Sequence, residues 1–359
     1  MYQGNYIEIS TPALYRNARK VAQTVGVPVI GVVKMDGYGV TLPVAARAWQ
    51  KAGAAMFAVA EPEEAMALRR EGFEEDILLM SPVADADTVK GLLEANIILT
   101  VTSLQNARFY LANKEERPLR AHVKVDTGMG RFGVRWTDAQ QLREIYQLEG
   151  ISFEGIYSHF AKAFEKKYEY TKRQLERFEK ALEALSDIPV GVRHIANSVA
   201  ALRFPQTRLD AVRIGSALVG PLLVPVAVEL EPVAICKAQV VDVKYLEPGD
   251  TTGYAAVCKV KKATKAAVVS IGFYEDYGMT GEPDRYPLRD FLSYLRHLLK
   301  RYRHPPCAHW QGEVLPLIGR IGSQHTLFDA TGVDIQPGTE VTVRISLQQY
   351  KGKRKFQNT

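Results

Sequence analysis

Residues 28–60, PVIGVVKMDGYGVTLPVAARAWQKAGAAMFAVA, contain the repeating unit on which the fold depends. The apolar runs at 28–35 and 56–60 are rich in β-branched residues and predict strands that are buried on both faces. Between them, 42–52 has apolar residues at helical spacing and begins after Thr41, a residue type common at helix N-caps. A strand, a helix and a strand in this order predict a parallel βαβ unit.

The same alternation continues to residue 216 and predicts eight strands, at 28–35, 56–60, 76–81, 97–101, 120–126, 151–160, 190–196 and 209–215. Helical stretches lie between them. An α/β chain with eight such units favours a (β/α)8 TIM barrel. A doubly wound open sheet is the alternative, because the count of strands does not distinguish the two folds.

After residue 222 the alternation with helices ends, and the pattern predicts a second, mainly β domain. Its predicted strands are 222–246, 255–260, 266–271, 315–321 and 340–345. A helical stretch at 288–302, bounded by prolines, is interpreted as an insertion. We therefore predict a barrel domain at 1–222 and a mainly β domain at 223–359.

The composition is that of a globular protein, with 47% hydrophobic and 24% charged residues. We expect no membrane span and no secretion, because no run of about 18 apolar residues and no signal-peptide pattern occurs. The three cysteines are far apart, which favours a cytoplasmic location and no cysteine-built metal site. Much of the net charge of +6 lies at 296–303 and 351–355, so we expect no nucleic-acid partner.

Barrel enzymes place their reacting groups at the C-terminal ends of the strands. Those ends here carry two lysines, two histidines and an arginine: Lys34, Lys124, His159, His194 and Arg213. A lysine that burial keeps neutral is a nucleophile suited to Schiff-base formation.

Each of these residues also has a structural interpretation. Lys34 is close in sequence to Asp36, and Lys124 has Asp126 or Glu154 as a candidate ion-pair partner. The two histidines fit equally well as hydrogen-bonded residues of the core.

Two further segments suggest anion binding. Arg131 lies in the glycine-rich turn Gly-Met-Gly-Arg, where a guanidinium can approach and grip a carboxylate. A surface arginine is the alternative. Arg213 precedes Ile-Gly-Ser, and the backbone amides of Gly215 and Ser216 suit the phosphate cradle that barrels form after their last strands.

Taken together, these segments resemble the motifs of the alanine racemase family. In the barrel, the matching stretches are 32–39, 124–133, 159–161, 194–202 and 211–215, in the family's order. In the second domain, Pro-Gly-Asp-Thr-Thr-Gly-Tyr at 248–254 resembles the segment that carries the catalytic tyrosine. Ile-Gly at 271–272 and Ile-Gly-Arg-Ile at 318–321 resemble the two strands that follow it.

The resemblance implies a pyridoxal-phosphate-dependent amino-acid racemase that works through an aldimine on Lys34. Lys34 and Tyr254 would act as bases on opposite faces of the substrate Cα, with Tyr254 supplied by the partner subunit of a homodimer with shared active sites. The resemblance gives the phosphate and ring contacts to Tyr38, His159, His194, Asn197, Ser198, Arg213, Gly215 and Ser216. It also gives substrate contacts to Arg131 and matches Lys124 to a lysine that is often carbamylated.

Three departures from the family concern the substrate. Phe273 replaces a tyrosine that usually follows Ile-Gly, and Gly-Ser-Gln-His at 322–325 replaces a Cys-Met-Asp-Gln-like run, so that Ser323 stands where a substrate-lining methionine is usual. The family's last helix and strand are expected to be missing from the tail, with Tyr350 the candidate to replace a phosphate-binding tyrosine. Alanine is the default substrate, and serine or a larger or basic amino acid is the alternative.

Two other functions would also use a barrel that binds pyridoxal phosphate. A pyridoxal-phosphate decarboxylase of the same build would need a cysteine and aspartate pair, which 322–325 does not supply. A non-catalytic pyridoxal-phosphate-binding protein would resemble the barrel alone.

Overall fold

The computed structural model of the chain describes residues 4–165, 167–222, 224–278, 295, 299, 302–303, 305–348, 350 and 352–357. The chain forms two compact units, one at Thr11–Val233 and the other combining Met1–Ser10 with Ala234–Asn358. This division differs from the predicted domains 1–222 and 223–359. The difference arises because the first strand, β1 (Tyr6–Ser10), pairs with two strands of the second unit.

The first unit is a closed barrel of parallel strands. Its eight strands are β2 (Val29–Val32), β3 (Met56–Val59), β4 (Ile77–Leu79), β5 (Leu99–Val101), β6 (Arg120–Asp126), β8 (Ser152–Tyr157), β9 (Val192–His194) and β10 (Val212–Ile214), with the short β7 (Val134–Arg135) beside β6. The isolated bridges Leu78↔Ile98 and His194↔Ala211 join its two four-stranded groups into a ring. The TIM barrel is thus confirmed, and the open sheet was the wrong alternative.

Helices connect the barrel strands. They are α1 (Thr11–Val25), α2 (Lys34–Tyr38), α3 (Leu42–Lys51), α4 (Pro62–Arg70), α5 (Ala86–Glu94), α6 (Leu104–Asn113), α7 (Ala139–Tyr146), α8 (Glu169–Glu183) and α9 (Ser198–Arg203). Asp85 and Ser103 cap α5 and α6, since each side chain accepts a backbone N–H of the first helical turn. The Thr41 side chain, by contrast, makes no capping hydrogen bond at the start of α3.

The barrel interior has an apolar and a polar half. The apolar half packs Ile30, Val32, Ala58, Leu78, Ile98 and Ala211. In the polar half, strand register places Lys124 opposite Tyr157 and Tyr157 opposite His194. The three side chains therefore follow one another across adjacent strands, and the candidate site is built on them.

The second unit is mainly β, as predicted. After β1 it contains β11 (Ala234–Leu246), β12 (Thr251–Thr252), β13 (Cys258–Lys259), β14 (Thr264–Val269), β15 (Cys307–Trp310), β16 (Glu313–Ile318), β17 (Thr326–Asp329), β18 (Glu340–Val343) and β19 (Lys353–Gln357). The long β11 pairs with β1 and β18 along its first half and with β14 along its second half. It is therefore the strand that holds the sheet together.

One expectation for the second unit needs correction. The tail does form a strand, because β19 pairs in parallel with β1. Tyr350 is buried at 1% exposure and its hydroxyl has no hydrogen-bond partner among the described residues, so its role as a phosphate ligand stays a prediction. The predicted helix at 288–302 lies almost entirely outside the described residues. Within the described ranges, none of the helices combines the length and apolar character that crossing a bilayer needs.

Candidate active site

Lys34 lies at the C-terminal end of β2, where the backbone turns sharply. Met35, Asp36, Gly37 and Tyr38 have φ values of 57°, 50°, 65° and 56°, so four consecutive residues adopt the left-handed conformation. This conformation is unfavourable for residues other than glycine, and such strain often occurs at functional sites. The Asp36 carboxylate accepts the N–H of Leu42 at 2.8 Å, which links the turn to the start of α3 and stabilises it.

Tyr38 lies against the turn that follows β10. A Cβ on Gly215 would be 2.2 Å from the Tyr38 hydroxyl oxygen, so this position requires glycine. The Ser198 hydroxyl accepts the N–H of Gly215 at 3.1 Å, so two of the predicted phosphate ligands are in direct contact. Ser216 begins the short helical turn that follows. Tyr38, Ser198, Gly215 and Ser216 are therefore brought together, while the Asn197 side chain caps α9 by accepting from Ala200.

Arg213 is a buried cation held by the strands next to it. Its Nη1 donates to Nδ1 of His194 at 2.7 Å, and its Nη2 donates to the carbonyl of Ser158 at 2.6 Å and to Nδ1 of His159 at 3.3 Å. Burial lowers the pKa of Arg213 to about 10, so the group stays protonated at neutral pH. Burial and then the charge of Arg213 lower the pKa of both histidines well below the ordinary value, which keeps both rings neutral.

His122 was missed by the sequence analysis. It is fully buried, and its Nδ1 is 2.9 Å from Nε2 of His194. The available signal was the strand period, because His122 and Lys124 are two apart on β6 and must face the same side.

Lys124 is also buried, with 6% exposure, and no carboxylate of the described residues forms an ion pair with it. Glu154 is paired with Arg120 at 2.7 Å, so the Glu154 alternative was wrong. The Lys124 Nζ lies 5.0 Å from the centre of the Tyr157 ring. Burial, followed by the charges of Arg213 and Arg131, lowers the pKa of Lys124 to about 7.

The glycine-rich turn after β6 is organised by Asp126. One of its carboxylate oxygens accepts the backbone N–H groups of Gly128, Met129 and Gly130 at 2.9, 2.9 and 3.1 Å. Arg131 follows in this turn and is exposed. Its guanidinium lies 5.5 Å from the centre of the Phe132 ring, and Nζ of Lys124 lies 5.5 Å from the same centre, so the two cations are neighbours.

In the second unit, Tyr254 begins a short helical turn, Tyr254–Ala256, whose next residue has a φ of 61°. A Cβ on the preceding Gly253 would be 3.6 Å from the backbone nitrogen of Arg320, so the tyrosine segment lies against the Ile-Gly-Arg-Ile segment. Ser323 is exposed, and its carbonyl accepts the N–H of Tyr274 at 3.0 Å. Phe273 is half exposed and lines a cleft of about 620 Å³ in the same unit. Three of the family-like segments are therefore neighbours within this unit.

Comparison with known proteins matches both units. The family model "Alanine racemase, N-terminal domain" matches residues 9–222, and "Alanine racemase, C-terminal domain" matches 233–355. An alanine racemase of Desulforamulus reducens is 37% identical over 286 residues, which cover 76% of each chain. An alanine racemase of Listeria monocytogenes serotype 4b is 31% identical over 354 residues, with 95% of this chain and 88% of the relative covered.

Solved structures agree. The alanine racemase of E. faecalis has a TM-score of 0.84 and 25% identity, with 99% of both chains covered. The alanine racemase of Bacillus anthracis with bound L-Ala-P has a TM-score of 0.82 and 25% identity, with 100% of this chain and 96% of that chain covered.

Proposed function

The chain belongs to the alanine racemase family, and from that premise we propose that it racemises alanine, with Lys34 and Tyr254 as its two bases. It is a pyridoxal-phosphate-dependent amino-acid racemase, as its relatives are. The decarboxylase and the cofactor-binding protein are not favoured, because the match includes the second domain and the relatives are named racemases.

The observation that carries the site assignment is the group of cations around the barrel mouth. Lys124 and Arg213 lie 5.0 and 4.8 Å from the centre of the Tyr157 ring, so these two cations are close together. Lys124 and Arg131 both lie 5.5 Å from the centre of the Phe132 ring. The charges of Arg213, Arg131 and Lys34 add to burial in lowering the pKa of Lys124. A cofactor with a phosphate and a substrate with a carboxylate are both anions, and such a site favours them.

The residues after β10 fit the phosphate group of pyridoxal phosphate. The Tyr38 hydroxyl packs directly against Gly215, where any Cβ would clash with it, and Ser198 and Ser216 add two more hydroxyl groups. We assign the phosphate to Tyr38, Ser198, Gly215 and Ser216. Asn197 contributes by capping α9, which fixes the start of the segment that carries Ser198.

His194 and Arg213 define the environment of the cofactor ring, and we place His159 beside it. When bound, pyridoxal phosphate withdraws electrons from the substrate Cα and so makes its proton acidic. Arg213 stays protonated at neutral pH and can donate but not accept a hydrogen bond, so a ring nitrogen that it held would stay unprotonated. This restrains electron withdrawal and disfavours decarboxylation and transamination.

Racemisation then needs two groups that move protons on opposite faces of Cα. In one direction, Nζ of Lys34 removes the Cα proton and the Tyr254 hydroxyl returns one to the other face, and in the reverse direction the roles exchange. Arg131 holds the substrate carboxylate through charge-assisted hydrogen bonds. We propose that Lys124 is carbamylated, because a pKa of about 7 leaves a large neutral fraction of its amine to react with CO2.

We further propose a cytoplasmic homodimer in which each subunit supplies Tyr254 to the other. Ser323 and Phe273 lie in the family-like segments beside Tyr254, which supports a substrate range different from that of relatives with methionine and tyrosine there. Serine or a larger amino acid is the second candidate substrate.

The test is a chiral product assay on Tyr254→Phe with alanine, serine and a basic amino acid. The variant is expected to bind the cofactor normally and to lose racemisation, with solvent deuterium exchange at Cα reduced more for one enantiomer than for the other. Tyr245→Phe, which changes a tyrosine with 76% exposure in the same unit, is the matched control and should behave as the unmodified enzyme. Full activity of Tyr254→Phe would disprove the two-base assignment.

A further inference from the structure

His122 forms the inner end of a chain of three side chains across the barrel. Its Nδ1 is 2.9 Å from Nε2 of His194, and Nδ1 of His194 is 2.7 Å from Nη1 of Arg213. All three groups are buried, with exposures of 0%, 0% and 3%.

The chemistry of the three groups determines where each proton lies. A guanidinium only donates, so Nδ1 of His194 must accept from Arg213. The His194 ring is neutral, because burial and the Arg213 charge lower its pKa well below the ordinary value, and its one proton is therefore on Nε2. That N–H is directed at Nδ1 of His122, which must accept it. Burial lowers the pKa of His122 to about 3, so its own proton is on Nε2.

The barrel is built to hold the His122 ring in this place. A Cβ on Gly155, which is opposite His122 in the strand register, would be 2.6 Å from Cε1 of the ring. Tyr157 stacks on His194 at 4.9 Å between ring centres, with 7° between the ring planes, and prevents that ring from tilting. Nε2 of His122 is buried and has no hydrogen-bond partner among the described residues. The contact with His194 is therefore the hydrogen bond that orients this ring in the described part of the barrel.

We propose that His122 is a positioning residue for the racemase. By accepting a hydrogen bond from Nε2–H of His194, it stabilises the tautomer whose Nδ1 accepts from Arg213. It thereby helps to hold the guanidinium in the orientation in which it would meet the cofactor ring. The role in catalysis rests on the proposed function, whereas the order of protons does not.

The direct test is 15N NMR of the histidine-labelled protein, with assignment by single-residue variants. Both His122 and His194 are expected to give the spectrum of a neutral ring protonated on Nε2. A proton on Nδ1 of His194 would overturn the proposal. This measurement needs no turnover, so it remains decisive if alanine is not the substrate.

A variant series tests the effect on the reaction. His122→Leu removes the acceptor, whereas His122→Asn retains an acceptor oxygen near the Nδ1 position. We expect His122→Leu to lower kcat about tenfold with little change in KM, the usual effect of one lost buried hydrogen bond. It should also shift the absorption of the bound cofactor, and His122→Asn should reverse most of both changes.

Tyr110→Phe is the matched control, because it removes a buried hydrogen bond of 2.9 Å from the Val83 N–H in the same unit, at a residue outside the His122, His194 and Arg213 chain. It should lower thermal stability but leave the cofactor absorption and the His194 spectrum unchanged. Equal losses in His122→Leu and His122→Asn would show that the ring acts only as packing. If His122→Leu does not fold, the spectra of the unmodified protein still test the order of protons, and a proton on Nδ1 of His194 would overturn the proposal.

Discussion

At the scale of single residues, two lysines at the ends of barrel strands are candidates for the covalent bond to the cofactor. Lys34 is half-buried at the end of β2, whereas Lys124 is almost fully buried. Borohydride reduction of the holoenzyme should attach the cofactor to Lys34, as mass spectrometry of the digested protein would show. Lys124→Met should keep this label and Lys34→Arg should lose it. A label found on Lys124 would reverse the two assignments.

The lowered pKa of Lys124 also predicts how stability depends on pH. The ordinary lysine pKa of 10.5 applies to the unfolded chain, and burial brings the folded value to about 7. Between these values the unfolded state binds a proton that the folded state does not, so the free energy of unfolding rises with pH. For cofactor-free protein in CO2-free buffer, we expect the free energy of unfolding to increase by about 2 kcal/mol from pH 7 to pH 9.

Urea denaturation of matched variants isolates this contribution. Lys124→Met should remove the rise and should be more stable than the unmodified protein at pH 7. Lys51→Met, which changes an exposed lysine at the end of α3, should leave the rise intact. Parallel pH curves for the unmodified protein and Lys124→Met would mean that Lys124 ionises alike in both states.

Sequence reasoning identified the candidate site residues at the ends of strands, but it did not identify His122, which contacts one of them from within β6. Lys34, Lys124 and Arg213 stand out because a charged residue is unusual beside a buried apolar run. His122 lies inside β6, where a histidine is as compatible with the core as with function. Its meaning depends on His194, which is 72 residues away in sequence, and local pattern contains no information on that contact.

At the scale of elements, the left-handed turn of α2 allows a test with two opposite substitutions. Gly37→Ala should lower stability, because φ is 65° and the new Cβ would be 2.8 Å from Cβ of Ala45. Met35→Gly relieves a left-handed residue whose side chain is 47% exposed. Removing the backbone strain at Met35 should raise the free energy of unfolding by about 1–2 kcal/mol. The greater conformational freedom that glycine gives the unfolded chain offsets part of this gain. Thermal denaturation should show the two changes with opposite signs, and a loss of stability in both would argue against backbone strain.

The prediction of elements succeeded where pairing is local and failed where it is not. The barrel strands were found because each is a short apolar run next to its own helix, and β6 has the predicted bounds. β1 was not predicted, since its partner β11 begins more than 200 residues later. The strand predicted at 222–246 begins only at Ala234, because the prolines at 225 and 232 cannot donate to a sheet. The strand predicted at 255–260 was broken by positive φ at Ala255 and Ala256.

At the scale of the whole molecule, the two proposed bases belong to different units. Lys34 is in the unit Thr11–Val233, and Tyr254 is in the unit that contains Ala234–Asn358. A site that uses both must combine them either within one chain or between two chains. In a two-fold symmetric dimer, exchange between chains creates two equivalent shared sites. The two arrangements predict different results when inactive variants are mixed.

The decisive experiment mixes Lys34→Ala with Tyr254→Phe, each inactive alone, after the subunits have been allowed to exchange. With shared sites, each hybrid dimer has one site that carries both changes and one site that carries neither. Random exchange of equal amounts makes half of the dimers hybrids, so about one quarter of the unmodified activity should return. The double variant Lys34→Ala/Tyr254→Phe mixed with Tyr254→Phe is the control, because no combination of these chains restores a complete site. With exchange verified by mass spectrometry of labelled subunits, recovery no greater than in this control would place Lys34 and Tyr254 of one chain in the same site.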